Sequence, residues 1–219
     1  MLDEPVADSA AIPTYFMAEL TKPHVTVVLT GEGADELFAG YSHYKILCGA
    51  DRMAVLSPGA LARGLGHWMG GGTAGRAAGY LGRLRDRAAA YLALKSVFDA
   101  GEKARLYTGE LRAACRATLP PEDVVRRFLR PGGGPYLNQL LRLDLATWLA
   151  DDLLVKVDRM TMAHGVEARV PYLDHRVVER VMRMPPAWKL RGLAGKRILR
   201  RVGETLLPRD IVRRRKTGF

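Results

Sequence analysis

The sequence predicts an α/β fold that is mostly helical, with few parallel strands. Residues 25–29 (Val-Thr-Val-Val-Leu) form a short β-branched apolar run, which is typical of a buried strand. A glycine-rich turn, Thr30 to Gly33, follows this run, and a helix begins at Ala34. Helical apolar periodicity then dominates the remaining chain.

The first part of the chain is expected to hold a helix, a strand and a second helix. The first helix covers residues 12–20, between Ser9 and Pro23. The second runs from Ala34 to Tyr41. A buried parallel strand needs a neighbouring strand on each side. We therefore expect either that another chain supplies these strands or that the sequence is a fragment, and we favour the fragment.

Periodicity predicts further helices up to the end of the chain. Residues 136–163 carry the widest apolar face, rich in leucine. Asp174 is the expected N-cap of a later helix. We find no internal repeat. The expected order is short helices with mobile connections at 49–76, helix at 77–107, a loop at 129–135, and helices at 136–163, 174–184 and 196–207.

Composition excludes several classes of protein. Of 219 residues, 48% are apolar and 26% are charged, which excludes wholesale disorder, collagen and a disulfide miniprotein. No apolar run reaches about 18 residues, so no membrane span is expected. Cys48 and Cys115 lack CxxC spacing and are expected to be reduced thiols buried in helices. A cytoplasmic location follows by default.

Positive charge is concentrated near the C-terminal end. Residues 189–219 carry 11 basic and two acidic residues, a net charge of +9 out of the +11 of the whole chain. Such a tail suits nucleic acid, an acidic partner or a phosphorylated small molecule. It shows neither interleaved aromatic residues nor a known nucleic-acid-binding motif, so binding of nucleic acid is a minority interpretation.

The turn after the predicted strand is the first candidate site. Its glycines let backbone N–H groups approach a ligand, and the helix that follows favours phosphate. Glu32 and Asp35 would flank that ligand, where carboxylates commonly hold Mg²⁺ or orient a reacting group. The residues alone leave open an ordinary helix start whose acidic first turn stabilises the helix dipole.

Two later segments offer charged groups. In residues 151–160, Asp residues and Lys or Arg residues are spaced three to five positions apart, which places them on one face of a helix. Glu167 and Arg169 point the same way in an extended stretch and are expected to pair with groups elsewhere. His164 has no second metal ligand at suitable spacing and is expected to be structural.

Taken in order, these segments resemble the C-terminal synthetase domain of the glutamine-dependent asparagine synthetases. The resemblance spans almost the whole chain and is weakest between about residues 45 and 135. The matching segments are residues 3–9, 29–41 (Leu-Thr-Gly-Glu-Gly-Ala-Asp-Glu-Leu-Phe-Ala-Gly-Tyr), 151–160, 165–174, the helix beginning at Lys196, and 214–219.

The resemblance implies a partial adenine-nucleotide hydrolase-like fold over residues 1–219 and an ATP-dependent amidation. Aspartate, or a related carboxylate, would be adenylated with release of pyrophosphate. Ammonia from a glutaminase domain would then displace AMP. A non-catalytic binding protein that uses the basic tail, and an amidotransferase for another carboxylate, remain alternatives.

The resemblance also implies roles for individual residues. Thr30 and Gly31 correspond to the turn that contacts AMP, and Glu32 to an acid needed to form and use the acyl-adenylate. Asp35 corresponds to a Mg²⁺ ligand. Lys196 corresponds to the lysine that stabilises phosphate charge. Supporting roles are implied for Arg169 and, as a pyrophosphate contact, for Lys216.

The sequence departs from the family pattern in ways that affect activity. The pyrophosphate loop Ser-Gly-Gly-x-Asp-Ser is absent, and Gly70-Gly71-Gly72 is misplaced and lacks its Asp. The glutaminase domain with its N-terminal Cys is also absent. We therefore expect a truncated domain that is inactive alone, completed by a missing N-terminal part or a second chain.

Overall fold

The computed structural model describes residues 6–56 and 86–214. Predictions for residues 57–85, and the predicted role of Lys216, lie outside these residues. The chain divides into two compact units, one formed by the residues up to Tyr41 together with those from Leu141 onward, and the other by Ser42–Leu140.

The first unit is a helical assembly around two short strands. Its predicted long helix at 136–163 is interrupted by a π-helical turn at Leu149–Leu153, so it forms three pieces. In chain order, this unit contains α1 (Ala11–Thr21), β1 (Val27–Leu29), α2 (Ala34–Phe38), the end of α8 (Tyr136–Ala146), the π turn, α9 (Leu154–Met162), β2 (Glu167–Arg169), a 3₁₀ turn (Pro171–Leu173), α10 (His175–Arg183), α11 (Pro186–Lys189), α12 (Arg197–Leu206) and α13 (Arg209–Arg213).

The two strands form a parallel sheet, as the sequence predicts for this fold class. Val27 aligns with Glu167, and Leu29 aligns with Arg169. The expectation of a buried strand is wrong for β1 in the described part of the chain, because the Leu29 side chain is 74% exposed. The apolar composition of β1 therefore indicates a strand correctly, but no described layer covers this side chain.

Helices α2 and α10 share the apolar core that supports the site. Leu37 and Phe38 of α2 pack with Val181 of α10, and all three are buried. The Tyr172 ring meets the Phe38 ring edge-on at a centroid distance of 6.1 Å. Asp174 caps α10 as predicted, since its carboxylate accepts a hydrogen bond from the Arg176 N–H at 2.9 Å. This core fixes the position of α2.

The second unit is helical throughout its described residues. The predicted helix at 77–107 is broken, because Asp99 and Glu102 form a reciprocal capping box that starts a new helix. The Arg87 guanidinium donates two hydrogen bonds to the Asp51 carboxylate, from Nε to Oδ1 at 2.8 Å and from Nη2 to Oδ2 at 3.1 Å. The described elements of the second unit are α3 (Ser42–Leu56), α4 (Arg87–Lys95), α5 (Ala100–Leu106), α6 (Gly109–Arg116), α7 (Pro121–Phe128) and the start of α8.

The cysteine prediction holds in part. Cys48 and Cys115 are both free thiols in helices, but Cys115 is exposed and only Cys48 is largely shielded. Burial raises the pKa of the Cys48 thiol to about 12, which keeps it protonated and unreactive. In residues 6–56 and 86–214, no helix is long and apolar enough to cross a membrane.

Candidate functional site

The glycine turn after β1 is shaped by the segment that carries β2. The Thr30 N–H donates to the Arg169 carbonyl at 2.8 Å, which continues the strand pairing into the turn. Gly33 has a φ of +85°, and a Cβ there would lie 2.3 Å from Leu173 Cδ2. Only glycine fits both the left-handed backbone and this close approach. Gly31 is exposed and has open space on its Cβ side.

The turn leads directly to an ion pair between distant parts of the sequence. Lys196 Nζ lies 3.0 Å from Asp35 Oδ1, and the two side chains are only 24% and 17% exposed. Asp35 is on the first turn of α2, and Lys196 is the N-cap of α12. The structure thus places the acidic glycine turn beside the lysine, as the resemblance requires.

Close backbone packing holds the two segments together. The Lys196 N–H donates to the Phe38 carbonyl at 2.8 Å. A Cβ on Gly195 would lie 2.2 Å from the Ala39 carbonyl oxygen. A Cβ on Gly40 would lie 1.7 Å from Asp35 Oδ1 and 2.4 Å from Lys196 Cε. Both glycines are therefore needed for the Asp35–Lys196 contact.

Two residues at this junction hold unusual backbone conformations. Ala39 has a φ of +58° and Lys196 a φ of +52°, the left-handed region that residues with a Cβ rarely occupy. Such strain costs about 1–3 kcal/mol per residue and persists where the surrounding structure demands it. Its occurrence at the candidate lysine is a structural sign of a functional position.

Behind the ion pair lies a buried carboxylate. Glu36 is 1% exposed and accepts a hydrogen bond from the Tyr41 hydroxyl at 2.7 Å. Burial raises the pKa of Glu36, and the nearby carboxylates of Asp35 and Glu32 raise it further. Burial and the Glu36 carboxylate also raise the pKa of Tyr41, so its hydroxyl stays a donor.

Most of the residues predicted for the site lie in one place. Thr30, Gly31, Glu32 and Asp35 line the turn and the start of α2, and Lys196 reaches it. Contrary to expectation, the Arg169 side chain pairs with no distant group among residues 6–56 and 86–214. It bonds to its strand neighbour Glu167 at 2.7 Å and is exposed, and only its carbonyl contacts the turn.

Sequence reasoning missed the supporting residues. Gly40 and Gly195 allow the close approach at the ion pair, and Tyr41 bonds to the adjacent Glu36, but the sequence predicts no role for any of the three. The sequence contains one usable signal, because a glycine just after a short helix often marks a reversal of the chain. The packing partner of that glycine, however, lies in a distant segment that periodicity does not locate.

The described residues offer no all-protein metal cage. Among them, no group of three or more His, Cys, Asp or Glu side chains is arranged to hold a metal ion. Mg²⁺ at nucleotide sites is usually held by one or two carboxylates together with phosphate oxygens. A single carboxylate at Asp35 fits that second mode of binding.

Comparison with known proteins assigns the chain to a family. The family model for asparagine synthase matches residues 1–219. The chain belongs to the asparagine synthase family. This membership agrees with the geometry, because the turn, α2 and the lysine before α12 come together in space. No solved structure gave a match.

Two similar proteins cover the chain from end to end, and a third covers part of it. Glutamine-hydrolysing asparagine synthetase 1 of Bacillus subtilis is 34% identical, over 99% of this chain and 34% of its own length. A Mycobacterium bovis protein named for the same activity is 35% identical over the whole chain and 33% of its own length. The asparagine synthetase of Cricetulus griseus is 39% identical over 30% of this chain. The chain thus spans about a third of the length of the first two relatives.

Proposed function

We propose that the first unit supplies one side of the adenylating site of an ATP-dependent amidation of aspartate to asparagine. The ion pair between Lys196 and Asp35 carries this proposal, because it joins the glycine turn to the segment that would hold the phosphates. The finer fold assignment to the adenine-nucleotide hydrolases, over residues 1–219 as one partial domain, is part of the same proposal.

Nucleotide binding rests on the open side of the turn. Gly31 is exposed, so its backbone is accessible to an adenylate. The Thr30 side chain turns inward instead, and within the described residues its buried hydroxyl finds no hydrogen-bond partner. Thr30 therefore acts through the backbone that shapes the turn, since its N–H is bound to the Arg169 carbonyl.

The reaction has two steps. A carboxylate oxygen of aspartate attacks the α-phosphorus of ATP, and the bond to pyrophosphate breaks. The nitrogen of ammonia then attacks the acyl carbon, the bond to AMP breaks, and one proton leaves the nitrogen. Glu32 lies in the turn, where a carboxylate can accept that proton. The β-aspartyl-AMP intermediate and the supply of ammonia from glutamine belong to this proposal.

Charge stabilisation is the main task of the remaining residues. Negative charge on the transferred phosphoryl group increases in the transition state and must be met by fixed cations. The Lys196 ammonium is already held at the edge of the turn by Asp35. Mg²⁺, when bound, would neutralise phosphate charge, and Asp35 would hold it together with phosphate oxygens. Lys216 keeps its proposed role as a pyrophosphate contact.

The basic tail offers weaker support for the alternative of a polyanion-binding protein. Some of its cations are already engaged, since Lys196 pairs with Asp35 and Arg213 lies 3.3 Å from Glu204. Lys189 is fully buried. Arg200, Arg201 and Arg209 remain exposed, so a polyanion serves as the competing ligand in the test. The cytoplasmic location and an acceptor other than aspartate stay predictions.

Titration with MgATP, followed by the backbone amide NMR signals, tests the proposed function. We expect the amides of Gly31, Glu32 and Lys196 to shift at millimolar MgATP. Lys196→Met should weaken binding about 10- to 100-fold, the effect of losing one charge-assisted hydrogen bond. Asp35→Asn should remove the dependence of affinity on Mg²⁺.

The control variant is Glu19→Gln, which removes one exposed carboxylate from α1 and should bind like the wild type. If the amide signals of the wild-type site do not shift with MgATP, but the protein binds a DNA oligonucleotide tightly, the basic-tail alternative is favoured. Equal shifts in the wild type and Lys196→Met would also contradict the assignment.

A further inference from the structure

Tyr41 anchors the buried side of the candidate site. Its hydroxyl donates to Glu36 Oε1 at 2.7 Å, and Glu36 is almost completely buried. The Tyr41 ring stacks at a tilt on Trp148, with 4.9 Å between the ring centroids. Trp148 is fixed in turn, because its indole N–H donates to Asp152 Oδ2 at 2.9 Å. Tyr41 therefore connects α2 to the helical segment before the π turn.

The hydrogen bond closes a short loop. Helix α2 has only five residues, which is far below the length at which a helix is stable without outside support. After Phe38 the chain reverses at Ala39 and Gly40, and the Gly40 N–H donates back to the Asp35 carbonyl at 2.9 Å. Tyr41 then returns to Glu36. Both ends of the reversal are thus tied to α2.

This closed loop is the surface on which the lysine segment docks. The Phe38 carbonyl accepts the Lys196 N–H at 2.8 Å. Gly195 packs against the Ala39 carbonyl, and Gly40 packs against the Lys196 side chain. A shift of α2 or of the reversal would therefore move the Asp35 carboxylate and the Lys196 docking site at the same time.

We infer that Tyr41 is a positioning residue for the Asp35–Lys196 pair, acting through its hydrogen bond to Glu36. Glu36 and Asp35 are adjacent in α2, so the bond that anchors Glu36 also restrains the short stretch of backbone from which the Asp35 side chain projects. Removing the hydroxyl leaves a buried acceptor without that donor, and Glu36 must then reorient. The catalytic meaning of this role rests on the proposed function.

The side-chain ammonium of Lys196 provides a direct readout that needs no nucleotide. We expect its protons to exchange slowly with water while they are held at Asp35, and Lys196→Met assigns the NMR signal. We expect Tyr41→Phe to speed this exchange about tenfold, the factor that corresponds to one lost hydrogen bond. Glu36→Gln keeps an oxygen acceptor without the charge and should give an intermediate rate.

The matched control is Tyr15→Phe, which removes a tyrosine hydroxyl from α1, where the Tyr15 ring contacts His164. In Tyr15→Phe, the Lys196 ammonium protons should exchange at the wild-type rate. An unchanged Lys196 rate in folded Tyr41→Phe overturns the inference. If amide spectra show that Tyr41→Phe is unfolded, Glu36→Gln decides, since faster exchange supports the inference and wild-type exchange overturns it.

Binding of MgATP separates this inference from the proposed function. If the wild type binds MgATP, Tyr41→Phe should raise its Kd several-fold while Tyr15→Phe leaves the Kd unchanged, and equal values overturn the inference. If the wild type fails to bind, the proposed function fails. The ammonium exchange rates then still decide whether Tyr41 positions the pair.

Discussion

Lys196 Nζ lies 3.0 Å from Asp35 Oδ1, although the two residues belong to segments at opposite ends of the described chain. Exposed ion pairs contribute little to stability, but this pair is mostly shielded from water. It also depends on two close approaches, of Gly40 to the Asp35 and Lys196 side chains and of Gly195 to the Ala39 backbone, which a Cβ would disturb. The pair is therefore a sensitive reporter of how the two segments fit together.

Gly195→Ala should separate these segments. The added Cβ would lie 2.2 Å from the Ala39 carbonyl oxygen, which belongs to the backbone and cannot rotate away, and overpacking of this kind costs about 1–3 kcal/mol of unfolding free energy. Gly49→Ala in α3 is the control, because nothing lies within 4 Å of its new Cβ. It should stabilise the helix by about 0.5–1 kcal/mol. Urea unfolding measures both, and a Gly195→Ala protein as stable as the wild type would contradict the packing argument.

Loss of Asp8 or Lys156 should destabilise the first unit. Lys156 Nζ lies 2.5 Å from Asp8 Oδ2, and the lysine side chain is only 6% exposed. Removing one partner of a buried pair costs about 3–5 kcal/mol, because the other charge stays buried. Asp8→Asn should approach that value, since it leaves the ammonium. Lys156→Met should cost less, since Asp8 is partly exposed. Urea unfolding that ranks them in the reverse order would show that the lysine is not the more buried charge.

The same pair gives a pH dependence in acid. Burial alone would raise the pKa of Asp8. The hydrogen bonds from Lys156 and from the Ala10 N–H lower it by more than burial raises it, so the net shift is downward. The folded state then favours the ionised carboxyl, so its stabilising effect is present above the unfolded pKa of about 4 and is lost as the pH falls below it. Asp8→Asn should flatten this part of the curve of stability against pH.

Lys189 should make the protein more stable in mild alkali. It is completely buried in α11, and burial lowers its pKa to about 8. The unfolded lysine has a pKa of about 10.4, so between these values the unfolded chain binds more protons, and stability rises with pH. Urea unfolding from pH 7 to 10 should show this rise in the wild type. Lys189→Met should abolish it and Lys45→Met should keep it, whereas a rise that persists in Lys189→Met would contradict the assignment.

Much of the local structure could be predicted from the sequence because its signals are local. The limits of α1 between Ser9 and Pro23, the Asp174 cap and the strand–turn–helix at Thr30 each depend on neighbours within a few residues. Helix α2 ends at Phe38 rather than Tyr41 because Ala39 takes the left-handed conformation that reverses the chain. Helical periodicity does not signal such a reversal.

The residues of the candidate site could be predicted from the sequence, but the packing contacts that hold them in place could not. The glycine turn itself points to Glu32 and Asp35, the resemblance adds Lys196, and the fold brings Asp35 and Lys196 together. The extended conformation of Glu167–Arg169 is predicted by the sequence, but its pairing with β1 is not, because the partner strand is distant along the chain. Close approach at Gly195 is equally non-local. Tertiary packing decides both features.

Lys196 should tolerate glycine better than alanine. Its φ of +52° is costly for any residue with a Cβ, by about 1–2 kcal/mol, and costs glycine almost nothing. Lys196→Ala and Lys196→Gly both lose the ion pair with Asp35, so the difference between them isolates the backbone strain. Lys196→Gly should therefore unfold at a higher urea concentration than Lys196→Ala.

The reverse order is expected inside the following helix. Arg200 is exposed in α12, where alanine is favoured over glycine by about 1 kcal/mol. Comparing the two pairs of variants removes any general effect of losing a basic side chain. Alanine more stable than glycine at both positions would show that residue 196 is unstrained. Glycine more stable only at position 196 would show that the chain keeps a strained lysine where glycine is more stable, as expected if the ammonium group is retained for function.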